Sequence, residues 1–112
     1  MNPVAEVTVA EVVVETLYQA GVRYVFGLPG GETVELLDAL RLRGIEFILV
    51  HNESSALFMA DTYARMTGTV GIALTTLGPG ATNATVGLAH AYLDRAPVIL
   101  ITAQKPDTLL PD

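Results

Sequence analysis

The sequence contains no cysteine, which excludes both a disulfide framework and a thiolate metal site. Positive charge is scarce as well: six Lys and Arg stand against twelve Asp and Glu, giving a formal net charge of −6, and Lys105 is the single lysine. Such a chain is a poor fit to nucleic acid or to an anionic membrane surface, and neither is expected as a partner. No apolar run reaches the length of a membrane span. The first twenty residues lack a basic start and are interrupted by Glu6, Glu11 and Glu15, so they do not read as a signal peptide, and a cytoplasmic location is the default expectation. The two histidines, His51 and His90, fall on separate elements and make a poor metal site, and no serine is spaced to recruit them for nucleophilic catalysis. No metal site within the chain is expected. Linkers and low-complexity tracts are also missing. The closing "QKPDTLLPD", with Pro106 and Pro111, reads as an irregular tail.

What is present is apolar and alternating. At 112 residues and 51% hydrophobic content, residues 1–112 have the size and apolar content of one domain with its own core. "TVAEVVVETLYQAG" predicts a helix, with Thr8 and Glu11 at capping-box spacing and Gly21 at the stop. "VRYVFG" follows as a strand. "ETVELLDALRLRG" sets Val34, Leu36, Leu37 and Leu40 on one side of a helix ended by Gly44, and "IEFILV" is the next strand. "SSALFMADTYARMTG" and "TNATVGLAHAYLD" read as helices, "VGIALTT" and "PVILIT" as strands. The alternation predicts an α/β fold, a three-layer sandwich in which a mostly parallel sheet carries helices on both faces. Ligands bind such sheets outside the carboxyl ends of the strands. That edge gathers three loops: "GLPGGE" at 27–32, "HNESSA" at 51–56 and "TLGPGATN" at 76–83.

Neither glycine loop is a phosphate cradle. "GLPGGE" is not a G-x-G-x-x-G fingerprint, neither loop has the lysine and hydroxyl of a P-loop, and Pro29 and Pro79 each remove an amide donor. The glycines allow sharp strand-to-helix turns, or close approach of the backbone to something flat. Glu53 has two readings. A carboxylate favours a helix N-terminus, with Asn52 or Ser54 as cap; or, hemmed by Leu49, Val50, Ala56 and Leu57 on the ligand edge, it is partly desolvated and able to share a proton. Met59, Tyr63 and Met66, at helical spacing, read as core packing.

The run from Glu53 to Gly68, "ESSALFMADTYARMTG", resembles the glutamate helix of the pyrimidine-binding domain in thiamine diphosphate-dependent enzymes. Upstream "VFGLPGGETVELLDAL" and downstream "TTLGPGATNATVGLAHAYLDRAPVILITAQ" resemble the neighbouring segments of that family, in order and spacing, so that the similarity covers nearly the whole chain. The likeness is to the group of acetolactate synthase, pyruvate oxidase and the 2-oxo acid decarboxylases, and the "PGG" turn leans towards the first. Thr62, where the family usually has glycine, and Ala103, where "GQ" is usual, are departures.

The resemblance implies a function. Glu53 would be the glutamate that hydrogen-bonds the aminopyrimidine ring nitrogen opposite the amino group, favouring the imino tautomer that draws the proton from the thiazolium carbon. Pro29, Gly30, Thr76, Pro79 and Asn83 match family positions that line or shape the pyrimidine pocket. Thiamine diphosphate is implied as cofactor through its pyrimidine half only, with magnesium held by a diphosphate-binding domain that this sequence does not contain. The expected partners are that domain, in a second subunit or a missing C-terminal part, a homo-oligomeric mate and a small 2-oxo acid. The domain is thus expected to be incomplete at its C-terminal end and inactive alone. A decarboxylase or lyase of the same group, or a non-catalytic remnant or pairing module of the fold, are the alternatives.

Overall fold

The structure, a computed structural model, describes residues 6–110; Pro111, assigned to the irregular tail, lies outside the described residues. Helix α1 (Val9–Gln19) begins with the expected capping box: the Thr8 hydroxyl accepts from the Glu11 amide, and Glu11 accepts from the Thr8 amide. Strand β1 (Tyr24–Leu28) is followed by a 3-10 turn at Gly31–Thr33 and helix α2 (Val34–Arg43), which Gly44 closes at φ 85°. Strand β2 (Glu46–Leu49), helix α3 (Glu53–Thr67) and strand β3 (Gly71–Thr75) follow. Two helices, α4 (Pro79–Asn83) and α5 (Thr85–Leu93), then lead to strand β4 (Val98–Ile101). The tail carries one 3-10 turn at Asp107–Leu109.

The four strands are all parallel, in the order β2-β1-β3-β4. Side chains alternate across the sheet. Val25, Ile72 and Leu74 point to one face, where Val14 of α1 and Ala39 and Leu40 of α2 bury them. Phe26, Leu28, Ala73, Val98 and Leu100 face the other side, against Ala56, Leu57 and Ala60 of α3 and Ala84 before α5. The three-layer α/β sandwich expected from the sequence is therefore observed.

Three local readings are corrected. Helix starts earlier than expected in "LGPGATN", because Pro79 occupies the first helical position, where its missing amide is no loss. Only Gly78 needs special backbone, at φ 63° and ψ −115°. Met59 and Met66 are exposed rather than core, since α3 turns Ala56, Leu57, Ala60 and Ala64 inward; Tyr63 alone packs its ring on Tyr24 and Phe26. Val34 is likewise exposed, whereas Leu40 is buried as expected, with Ala39 beside it.

Candidate functional site

The strand order puts the crossing point between β1 and β3. From β1 the chain leaves to α2 on one face, and from β3 it leaves to α4 and α5 on the other. The two turns diverge there, the arrangement at which open α/β sheets bind ligands outside the carboxyl ends of their strands. The Gly30 end of one turn and the Thr76 end of the other meet there: a β-carbon on Gly30 would overlap the Thr76 hydroxyl. Pro29 and Gly30 are half-buried, as is Thr76, while Pro79 is exposed at the start of α4.

Glu53 is the first residue of α3 and only 8% exposed. The Asn52 side chain caps this helix by accepting from the Ser54 amide at 2.9 Å, which leaves Glu53 in the first turn, where the helix dipole favours a carboxylate. Val50, Ala56 and Leu57 are buried near it in sequence, but Leu49, expected among the hemming residues, points outward at 60% exposure. Among the described residues no cation pairs with Glu53. Its hydrogen-bond partner is the Asn83 side-chain amide, which donates to it at 3.4 Å from the end of α4. The Ser54 hydroxyl donates to the Asn83 carbonyl and holds that end of α4 against α3. The expected residues thus fall into two contacts, Gly30 with Thr76 and Glu53 with Asn83, and α4 joins them, with Pro79 at its start and Asn83 at its end.

Two features of this edge escape a reading of the sequence. Glu32, just past the "PGG" turn, accepts from the Thr76 hydroxyl and from the Leu77 amide, the latter at 2.9 Å. These bonds, the Thr76 hydroxyl first, hold its carboxyl below the ordinary glutamate range. Thr75, the last residue of β3, is fully buried, and its hydroxyl has no hydrogen-bond partner among the described residues. A buried polar atom left unpaired costs about 1–3 kcal/mol.

The histidines stand apart. His51 is exposed in the turn before α3. His90 lies on α5, 3.3 Å from Asp94 and 3.7 Å from Asp61, in a charged brace that Arg65 completes by donating to both carboxylates. This brace ties the later half of α3 to α5.

The strand ends thus carry a buried carboxylate at a helix start, Glu53, and two proline-containing turns, at Pro29 and Pro79. Residues 7–111 match the family described as thiamine pyrophosphate enzyme, N-terminal TPP binding domain. The chain is 51% identical over 102 residues to the acetolactate synthase large subunit of Haemophilus influenzae, covering 90% of this chain and 18% of that protein. Acetolactate synthase isozyme 3 large subunit of Escherichia coli is 47% identical over 102 residues, with the same coverage. A probable acetolactate synthase large subunit of Methanocaldococcus jannaschii is 42% identical over 101 residues, 90% of this chain and 17% of that one. The chain thus spans less than a fifth of the length of these relatives.

Proposed function

The chain belongs to the thiamine pyrophosphate enzyme family, as an N-terminal TPP binding domain, and from that membership we propose that the β1–β3 crevice receives the aminopyrimidine of thiamine diphosphate. Glu53 carries the proposal: its burial, with 8% exposure, on the first turn of a helix at the strand ends supports a role in exchanging a proton with a ring nitrogen. When bound, the cofactor supplies an electron sink for cleavage and formation of bonds at a carbonyl carbon. The chain's own residues bind and orient. Pro29 and Pro79 give the ring rigid apolar walls without competing donors, and Gly30, having no β-carbon, lets Thr76 close against the first turn. Thr76 and Asn83 offer polar contacts at the rim. Asn83 also steadies the Glu53 carboxylate from the α4 side.

On the same reading the chain works as one part of a larger enzyme acting on small 2-oxo acids, most like the acetolactate synthases for which its relatives are named. A diphosphate-binding domain, in a second subunit or a further part of the chain, supplies the magnesium site, and the assembly is a cytoplasmic homo-oligomer. The outward face of α3, with Phe58, Met59 and Met66 exposed, supports a partner surface. Among the described residues no helix is long and apolar enough to cross a membrane.

The test is to titrate this chain with thiamine and with thiamine diphosphate plus magnesium while following backbone resonances. Shifts at Glu53, Thr76 and Asn83 with similar weak affinity for both ligands are expected. Shifts confined to other surfaces would refute the crevice, and micromolar, magnesium-dependent binding would refute the half-site.

A further inference from the structure

We propose that Glu32 is a positioning residue: its carboxylate ties the β3–α4 turn to the β1–α2 turn and sets the width of the crevice before a ligand arrives. Its purpose rests on the aminopyrimidine reading above, but the tie is a property of the chain itself. One oxygen, Oε1, accepts from both the Thr76 hydroxyl and the Leu77 amide, across 44 and 45 residues of sequence. Hydrogen bonds to an ionised acceptor are roughly twice as strong as neutral ones, so this link is stronger than a neutral side chain at position 32 would make.

The surroundings reinforce it from each side. On the β1 side, Thr33 is buried and brackets Gly30, donating to its carbonyl at 2.8 Å and accepting from its amide at 3.1 Å. That fixes the turn from which Glu32 departs. On the β4 side, the Thr102 hydroxyl donates to the Thr76 carbonyl at 3.0 Å. Thr76 is thereby held by its side chain from β1 and by its backbone from β4. Gly30 is required by the same tie, because a β-carbon there would overlap the Thr76 hydroxyl and sit 2.8 Å from the second Glu32 oxygen.

A crevice braced in this way meets its ligand without an ordering step, which is where pre-organisation contributes affinity. With Glu32 shortened, the Leu77 amide and the Thr76 hydroxyl lose their shared acceptor, while the Thr102 bond and the packing of Gly80 against Thr76 remain.

The experiment uses the ligand-free chain. In the parent, a through-hydrogen-bond scalar coupling between the Leu77 amide nitrogen and the Glu32 side-chain carboxyl carbon is expected; its absence, where couplings across the β1–β3 ladder are seen, would overturn the proposal. In Glu32→Ala, exchange of the Leu77 amide with deuterium should rise about tenfold while the Ile72 amide in β3 is unchanged. Glu32→Gln keeps a carbonyl oxygen as acceptor and should recover most of that protection. Leu77 exchange in Glu32→Ala within about twofold of the parent, with Ile72 unchanged, would also overturn it. If thiamine shifts no resonance in the crevice while the coupling is present, the aminopyrimidine reading fails and the tie stands.

Discussion

Replacing Gly87 by alanine tests whether the closeness of α3 and α5 shapes the site. Gly87 is buried in α5, and a β-carbon there would overlap the Leu57 β-carbon and lie 2.9 Å from the Ser54 carbonyl. Neither neighbour is the free end of a flexible side chain, so the helices must separate. Alanine in a helix gains about 0.8–1.0 kcal/mol over glycine from propensity alone. Overpacking costs about 1–3 kcal/mol and occasionally more, and a clash with backbone and a β-carbon belongs at the upper end. The net expectation is a loss of about 2 kcal/mol, which in a domain near this size lowers Tm by roughly 10 °C. Gly31 supplies the control: a β-carbon added there would meet nothing within 4 Å, and its φ is not positive, so Gly31→Ala should leave stability within about 0.5 kcal/mol of the parent. Urea and thermal unfolding followed by circular dichroism give both numbers. The displacement should also reach the site, since Ser54 and Glu53 open α3 and meet Asn83; the Asn83 side-chain amide resonances should move in Gly87→Ala. A Gly87→Ala protein as stable as the parent would refute the reasoning.

In the assembled enzyme, Glu53→Gln should slow deuterium exchange at the thiazolium carbon of bound cofactor by about a hundredfold or more, with little change in Tm, and near-parent exchange would remove Glu53 from its role. This chain alone should bind thiamine at about millimolar strength and turn over no 2-oxo acid, which calorimetry and a pyruvate-consumption assay check. The carboxyls of Glu15, Glu32 and Asp94 are held below their ordinary range, by Arg43, Thr76 and Arg65 first. Each therefore stabilises the fold above the unfolded carboxylate range of about 4 and stops doing so as pH falls through its lower folded value. The urea midpoint should drop between about pH 5 and pH 3, and Asp94→Asn should flatten part of that slope.

The order of elements was legible because each part of this fold leaves its own local mark. The central strand β3, buried on both faces, reads as the short apolar run "VGIALTT", the edge strand β4 reads as "PVILIT", and the capping box at Thr8 and the left-handed Gly44 bound helices where the pattern says they should. The misses have a common cause. Spacing tells which residues share a helix face but not which face the sheet covers. Apolarity alone turns Met59 and Met66 inward, yet in α3 the covered stripe is Ala56, Ala60 and Ala64, where small side chains let the helix approach β3 closely. So close is the approach that Gly71 has no room for a β-carbon against the Ala60 carbonyl.

At the candidate site the same division holds. Glu53 was legible because its setting is local: a strand ends, an asparagine caps, and the next residue opens a helix. Glu32 was not, because nothing in "PGGET" announces that its acceptor oxygen will meet a hydroxyl and an amide 44 and 45 residues away. Thr75 escapes notice for a further reason. Threonine at a strand end is ordinary by propensity, and its significance arises only when the layers close over it and leave its hydroxyl unpaired. Long-range polar contacts and orphaned polar atoms are products of topology. Here both lie at the crossing point between β1 and β3, where two turns leave the sheet in opposite directions. The sequence puts a carboxylate at a helix start on that edge and the family resemblance singles it out as a candidate; only the folded chain shows what holds the opposite wall in place.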